Sequence, residues 1–181
     1  MVVVEPKPLL AVTVRQPWAW SIRFAQSPLL NTDWRPPSRL ANQYIGLHVG
    51  KSWTKRERLS ASLLSSRYHP ELEVPLSPEG YLFSHLFAVG RVAGFVDLEH
   101  GDDRGGYSRI VETSRGRAWV GGDFSDEEIE RIIGSKWWHG PCGWVLRHVR
   151  HLPEPIPMAG KPKLWSVPAK DALNAAAQVG V

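Results

Sequence analysis

The run Val12-Thr-Val-Arg-Gln-Pro-Trp-Ala-Trp-Ser-Ile22 places a cation, an amide and two indoles side by side. Val12, Thr13 and Val14 read as the end of a β-strand. Pro17 suits the first turn of a helix, where its missing N–H has no partner to lose. A strand running straight into a helix start is expected to present unpaired N–H groups and a partial positive charge. Arg15 adds a full charge there, and Trp18 and Trp20 add flat apolar faces. Trp18 also matches, with Ile22 and Ala25, the core stripe of an amphipathic helix. Cation, donors and aromatic planes together suit a ligand with both phosphate and base, and Gln16 would read a base edge or hold the cleft.

Two further groups have the right chemistry. His48 and Lys51 fall at the end of a predicted strand, next to Ser52, Trp53 and Thr54. Lysine pairs with phosphate, and histidine titrates near neutrality. His48, Lys51 and Ser52 are therefore the candidates for acid/base work, while a backbone-satisfied core histidine and a solvated lysine are the plain alternatives. Trp34 lies with Arg35 and Arg39 in a predicted loop, a combination suited to stacking and phosphate contact or to pinning the loop on the core. Trp137 and Trp138 follow Lys136 and alternate in direction if extended, so at most one would face a ligand. No metal site is expected. His148 and His151 have opposite parity on a strand, and the His139/Cys142 spacing has no carboxylate cluster beside it. No phosphate-binding Gly-rich loop or nucleophile elbow is present, and no cofactor is expected. Glu127, Glu128 and Glu130 read as the solvated face of a short helix.

These residues sit in a chain of 181 with a net charge of +4, and the charge is unevenly spread. Residues 1–60 hold nine basic against three acidic residues, 136–170 hold six against one, and 97–130 hold four against ten. If the basic ends meet in the fold, they make one positive face of the kind that attracts nucleic acid. The acidic middle, with Asp126, Glu127 and Glu128, would instead dock a basic protein. A single cysteine, Cys142, forbids an intrachain disulfide and fits a reducing cytoplasm. Residues 1–8 lack the apolar core of a secretory signal and read as a disordered tail. No apolar run has membrane-spanning length, so no membrane partner is expected.

The elements that must position the candidates follow from periodicity and turn chemistry. Strands are predicted at 9–14, 44–49, 86–98, 143–149 and 164–167, with bulges or close approaches at Gly90 and Gly94. Helices are predicted at 17–26 and from the capping boxes Thr54/Glu57 and Ser125/Glu128. The first box opens a helix to about residue 67, with Leu59, Leu63 and Leu64 on one side; the second opens one to residue 133. Residues 29–42, 68–80 and 152–162 read as loops, and 99–140 as an acidic, Gly-rich excursion with one hairpin. Residues 171–181 read as a C-terminal tail with a helical turn at most. One domain over 9–170 is expected.

At this point four segments resemble the activating signal cointegrator homology (ASCH) domain family of the PUA-like superfamily. They are Ala11-Val-Thr-Val-Arg-Gln-Pro-Trp-Ala-Trp20, Tyr44-Ile-Gly-Leu-His-Val-Gly-Lys51, Ala88-Val-Gly-Arg-Val-Ala-Gly-Phe-Val-Asp-Leu98, and Gly143-Trp-Val-Leu146 with Leu152-Pro-Glu-Pro-Ile-Pro157, Gly160 and Leu164-Trp165. The resemblance implies an α+β fold: a small PUA-like β-barrel of about six strands with flanking helices, and a cleft between barrel and first helix. It also implies an RNA-binding or RNA-processing role. Amidohydrolase-like relatives carry a lysine and a glutamate after the first helix, within Lys-x-x-Glu-Asn-Arg-x-Trp. Aligned on Asn31 and Trp34, this chain has Ser27 and Leu30 there, and Thr32 at the arginine.

The expected function is therefore a cytoplasmic module binding RNA, another nucleic acid or a nucleotide-like ligand. Arg15, Arg35, Arg39 and Lys51 would hold phosphates, and Trp18, Trp34 or Trp53 would stack. A hydrolase acting on RNA or on a modified nucleoside, and a protein-interaction module, are the alternatives.

Overall fold

The computed structural model describes residues 8–99 and 107–180. The expected tail at 1–8 and the first part of the excursion thus lie largely outside the described residues. Among the described residues the fold is α+β: a curled, mixed eight-stranded sheet forming a half-barrel, with four α-helices. No helix there is long and apolar enough to cross a membrane.

Six strands form one continuous path. They are β1 (Leu10–Val14), β2 (Leu29–Thr32), β3 (Tyr44–Val49), β4 (His85–Asp97), β7 (Cys142–Pro157) and β8 (Leu164–Ser166), arranged β2-β7-β4-β3-β1-β8. The excursion adds the hairpin β5 (Arg109–Thr113) and β6 (Gly116–Gly122), which joins the carboxyl half of β4. β1 and β3 run parallel, and every other pair is antiparallel. Apolar residues alternate on β3 and β1 so that Ile45, Leu47, Val49, Val12 and Val14 fill the concave core. That core also receives Ala19 and Ile22 from α1 (Trp18–Phe24). Leu86, Val89, Leu152 and Trp165 pack on the other face.

Both capping boxes form, opening α2 (Lys55–Leu63) and α3 (Asp126–Gly134). The β4–β7 ladder slips at Val89/Arg91 and Val92/Gly94, so Gly90 and Gly94 do mark irregularities.

Four local expectations are corrected. Residues 29–42 are not all loop: Leu29 and Leu30 are buried, and β2 pairs with Cys142–Val145 of β7. Residues 152–162 do not begin a loop either, because β7 continues to Pro157. Pro155 and Pro157 alternate with Ile156 and Met158, and the Met158 N–H donates to the Ser84 carbonyl (2.9 Å). The donors that proline lacks therefore fall on the outer side of the ladder. On α2 the buried stripe is Glu57, Ala61 and Leu64, while Leu59 and Leu63 are exposed. A π-helical turn (Leu64–Tyr68) extends it, placing Tyr68 on the same stripe. Finally, the C-terminal segment is the helix α4 (Ala169–Val179), docked through buried Ala175 and a Gln178–Glu154 pair of hydrogen bonds.

Candidate functional site

The parallel pairing of β1 with β3 decides where the cations go. Val14 is in register with Val49, and the Gly50 N–H donates to the Val14 carbonyl (2.9 Å). Both strands therefore end at the same edge of the sheet, and Arg15 and Lys51 follow immediately. β8 lies on the other side of β1, with Leu164 opposite Val12. Thr13 Oγ1 donates to the Lys161 carbonyl (2.8 Å), which brings the 161–163 segment with Lys161 and Lys163 to that edge as well. The basic N- and C-terminal regions meet here.

Arg15 is exposed and ion-paired with Glu57 of α2 (3.5 Å), whose side chain is only 2% exposed. Burial works to raise the Glu57 pKa. Hydrogen bonds from the Thr54 hydroxyl and N–H, with the Arg15 charge, outweigh it and hold the carboxyl below its usual range. The N3 position of the capping box thus also anchors the guanidinium, leaving most of its donors toward solvent.

The start of α1 differs from expectation. Pro17 is the residue before the helix, and the Gln16–Pro17 peptide is cis. The Ala19 N–H donates to the Arg15 carbonyl (3.1 Å), and the Trp20 N–H donates to Gln16 Oε1 (3.0 Å). These donors face no ligand. Gln16 is buried, and its Nε2 donates to the Leu82 carbonyl (2.8 Å). Its amide ties the start of α1 to the Leu82 segment.

His48 belongs elsewhere. It alternates with Leu47 and Val49 and points to the opposite face of the sheet, against Trp165. Its Nε2–H donates to the Met158 carbonyl (3.0 Å), and Nδ1 is buried without a partner beside Gly160. Burial lowers its pKa, with the Met158 bond opposing. The exposed Lys51 and Ser52 follow the end of β3, beyond His48.

The remaining candidates divide. Trp53 packs on Tyr81 (4.8 Å between centroids) beside the Lys51 edge. Trp34 lies edge-on to Trp144 (5.1 Å), half-buried against the core. The Arg35 guanidinium sits 4.5 Å over the ring of Tyr107, whose hydroxyl donates to Asp97 at the carboxyl end of β4. Lys51, by contrast, lies two residues past Val49, which pairs with His85 at the amino end of β4. Arg39 is exposed on the turn Ser38–Leu40. Ser27 and Leu30 are both buried.

The structure also assembles a group that sequence reasoning mostly missed. His139 lies between Trp18 (4.6 Å) and Tyr68 (4.4 Å), and His69 stacks on Trp137 at 3.7 Å. The Nδ1–H of His69 donates to Glu71 (2.8 Å). Asn31 clamps the segment, donating to the Trp137 carbonyl (2.8 Å) and accepting from the His139 N–H (2.9 Å). Burial and the nearby His69 lower the His139 pKa to about 4. Trp138 is buried against Gly143 and Trp137 is half-buried, in a turn after α3 rather than on the strand for which alternation was expected. The His69-x-Glu71 spacing was the one local signal for this cluster. Among the described residues, no three His, Cys, Asp or Glu side chains are placed to hold a metal ion.

No protein-family model and no curated protein matches this chain.

Proposed function

We propose that the chain is a nucleic-acid-binding module of the ASCH type in the PUA-like superfamily, taking RNA in the cytoplasm. The observation that carries this reading is the convergence of Arg15, Lys51, Lys161 and Lys163 on one edge of the sheet through the β1/β3 and β1/β8 pairings. Lysine and arginine at such an edge hold consecutive phosphates, and Glu57 keeps Arg15 in place. Trp53, packed on Tyr81, lies beside them as an apolar face. Binding is favoured over hydrolysis because Ser27 and Leu30 are buried, His48 is buried and bonded to the Met158 carbonyl, and Gln16 is engaged by backbone.

The test is a fluorescence-anisotropy titration of labelled single-stranded RNA, duplex RNA and duplex DNA at two salt concentrations, followed by a gel of the incubated RNA. Salt-sensitive binding with intact RNA is expected. Each phosphate contact removed by Arg15→Ala or Lys51→Ala should lower the single-strand salt slope by about 0.7. Absence of binding at low salt rejects the reading, and cleaved RNA replaces it with a hydrolase.

A further inference from the structure

The segment that joins β7 to β8 is fastened to the sheet by side chains of β1 and β3. Thr13 and His48 are partners in the parallel β1/β3 register, so they share one face of the sheet. The His48 Nε2–H donates to the Met158 carbonyl (3.0 Å), and the Thr13 hydroxyl donates to the Lys161 carbonyl (2.8 Å). The Thr13 oxygen accepts in turn from the Trp165 indole N–H (3.1 Å), and that indole stands edge-on to the His48 ring (5.5 Å between centroids). Gly160 lies between the two anchored carbonyls. A Cβ there would overlap the His48 ring and stand 2.8 Å from Thr13 Oγ1, so the glycine backbone rests directly on the imidazole. His48 is 1% exposed, and its Nδ1 is left unbonded, a cost that an apolar side chain would avoid. What the histidine supplies at this place is the Nε2 bond to Met158.

The segment is constrained along the rest of its length as well. The Met158 N–H donates to the Ser84 carbonyl (2.9 Å), and Leu164 pairs with Val12. Lys161 precedes Pro162, which disfavours helical backbone at the lysine. Lys163 has a φ of 56°, a left-handed conformation that lysine keeps only where its surroundings impose it. Both lysines are exposed. A Cβ on Gly50 would stand 3.4 Å from Thr13 Cγ2, so the threonine that anchors Lys161 also borders the turn leading to Lys51.

We infer that His48 is a positioning residue, which with Thr13 and Gly160 clamps the 158–163 segment and so keeps Lys161 and Lys163 at the edge occupied by Arg15 and Lys51. The inference rests on the nucleic-acid reading above and assigns two of its cations to the hold of a buried histidine that touches no ligand. With the clamp intact the lysine backbone is already placed, and binding does not have to order it.

The experiment uses the full chain and two readouts. Limited trypsin digestion follows the Lys163–Leu164 bond, whose cleavage requires local opening, while Lys161 is protected by the following proline. Anisotropy with oligouridine gives the salt slope. His48→Leu removes both ring nitrogens, and His48→Gln keeps an amide donor for the Met158 carbonyl. Gly160→Ala acts from the exposed side and leaves the buried ring in place. His48→Leu and Gly160→Ala should each speed cleavage at Lys163 about tenfold without speeding it elsewhere, and His48→Gln should restore resistance. The same two variants should lower the salt slope by up to about 1.4, or about 0.7 for each lysine displaced. His48→Leu should lower it no further in a Lys161→Ala/Lys163→Ala background. If His48→Leu does not fold, Gly160→Ala decides by the same two readouts. Cleavage that rises at every site alike, His48→Gln behaving like His48→Leu, or a parental slope despite faster cleavage overturns the inference, while the nucleic-acid reading stands on Arg15 and Lys51. A parent that binds no RNA overturns both.

Discussion

His139 shows what burial does to a single residue. Its ring is enclosed by Trp18 and Tyr68, and its Nε2 has no partner among the described residues. Its pKa falls from 6.5 to about 4 on folding, first through burial and then through His69. Between those values the unfolded chain binds more protons, so stability rises with pH across the window and is lost on acidification from 6.5 toward 4. A shift of that size corresponds to at most about 3.4 kcal/mol. Urea unfolding at pH 7 and pH 4.5 should therefore show a drop in stability that shrinks in His139→Phe, which keeps a ring between Trp18 and Tyr68. Some drop will remain, because burial lowers His48 and His151 as well. An unchanged drop in the variant would remove His139 as its source. Gln16 and His48 teach the complementary lesson. Residue type left each with a ligand role or a structural one, and the backbone carbonyls of Leu82 and Met158 each accept one of their hydrogen bonds.

At the scale of elements, β4 organises the molecule. Its amino half pairs with β3 and its carboxyl half with β6, while β7 runs along the other edge. Gly94 lies where β6 meets β4. A side chain there would overlap the Gly121 carbonyl oxygen and the Phe124 ring. Gly94→Ala should cost about 1–3 kcal/mol or more, since backbone on the facing strand cannot yield as a side-chain tip can. Gly134, at the end of α3, has nothing within 4 Å of a built Cβ, so Gly134→Ala should be neutral or slightly stabilising. Thermal unfolding of the two variants checks the contrast, and equal midpoints would mean that the β4–β6 approach is not tight. The capping boxes were legible because they are local: Thr54/Glu57 and Ser125/Glu128 each satisfy a helix start within four residues. β2 was not legible, because Asn31, Thr32 and the prolines that follow look like a turn, and only the burial of Leu29 and Leu30 against β7 makes the segment a strand.

At the scale of the whole molecule, charge is sorted by topology. β8 and β3 flank β1 and collect basic residues at one edge. The acidic excursion packs on the carboxyl half of β4 and balances part of its charge, internally through Arg109–Asp126 and Arg117–Glu112 and across to β7 through Arg147–Glu128. Cys142 reports on the integrity of this assembly. It is fully buried where β7 pairs with both β2 and β4, and burial, with Asp97 nearby, pushes its thiol up. A thiol-specific disulfide reagent should leave the native protein unlabelled and react fully in urea, at a rate set by global opening. Fast labelling under native conditions would show that the β2 edge opens by itself. The sequence determined whatever is encoded locally: the strand endings at Val14 and Val49, both capping boxes, the irregular glycines of β4 and the basic character of both ends. Tertiary structure alone decided which of those pieces meet. Parallel pairing brings Arg15 to Lys51, a turn of α2 carries Glu57 under Arg15, and the 135–139 segment folds onto Trp18 and His69. Strand order and the packing of one element on another depend on contacts far apart in the chain, which no local pattern of residues records.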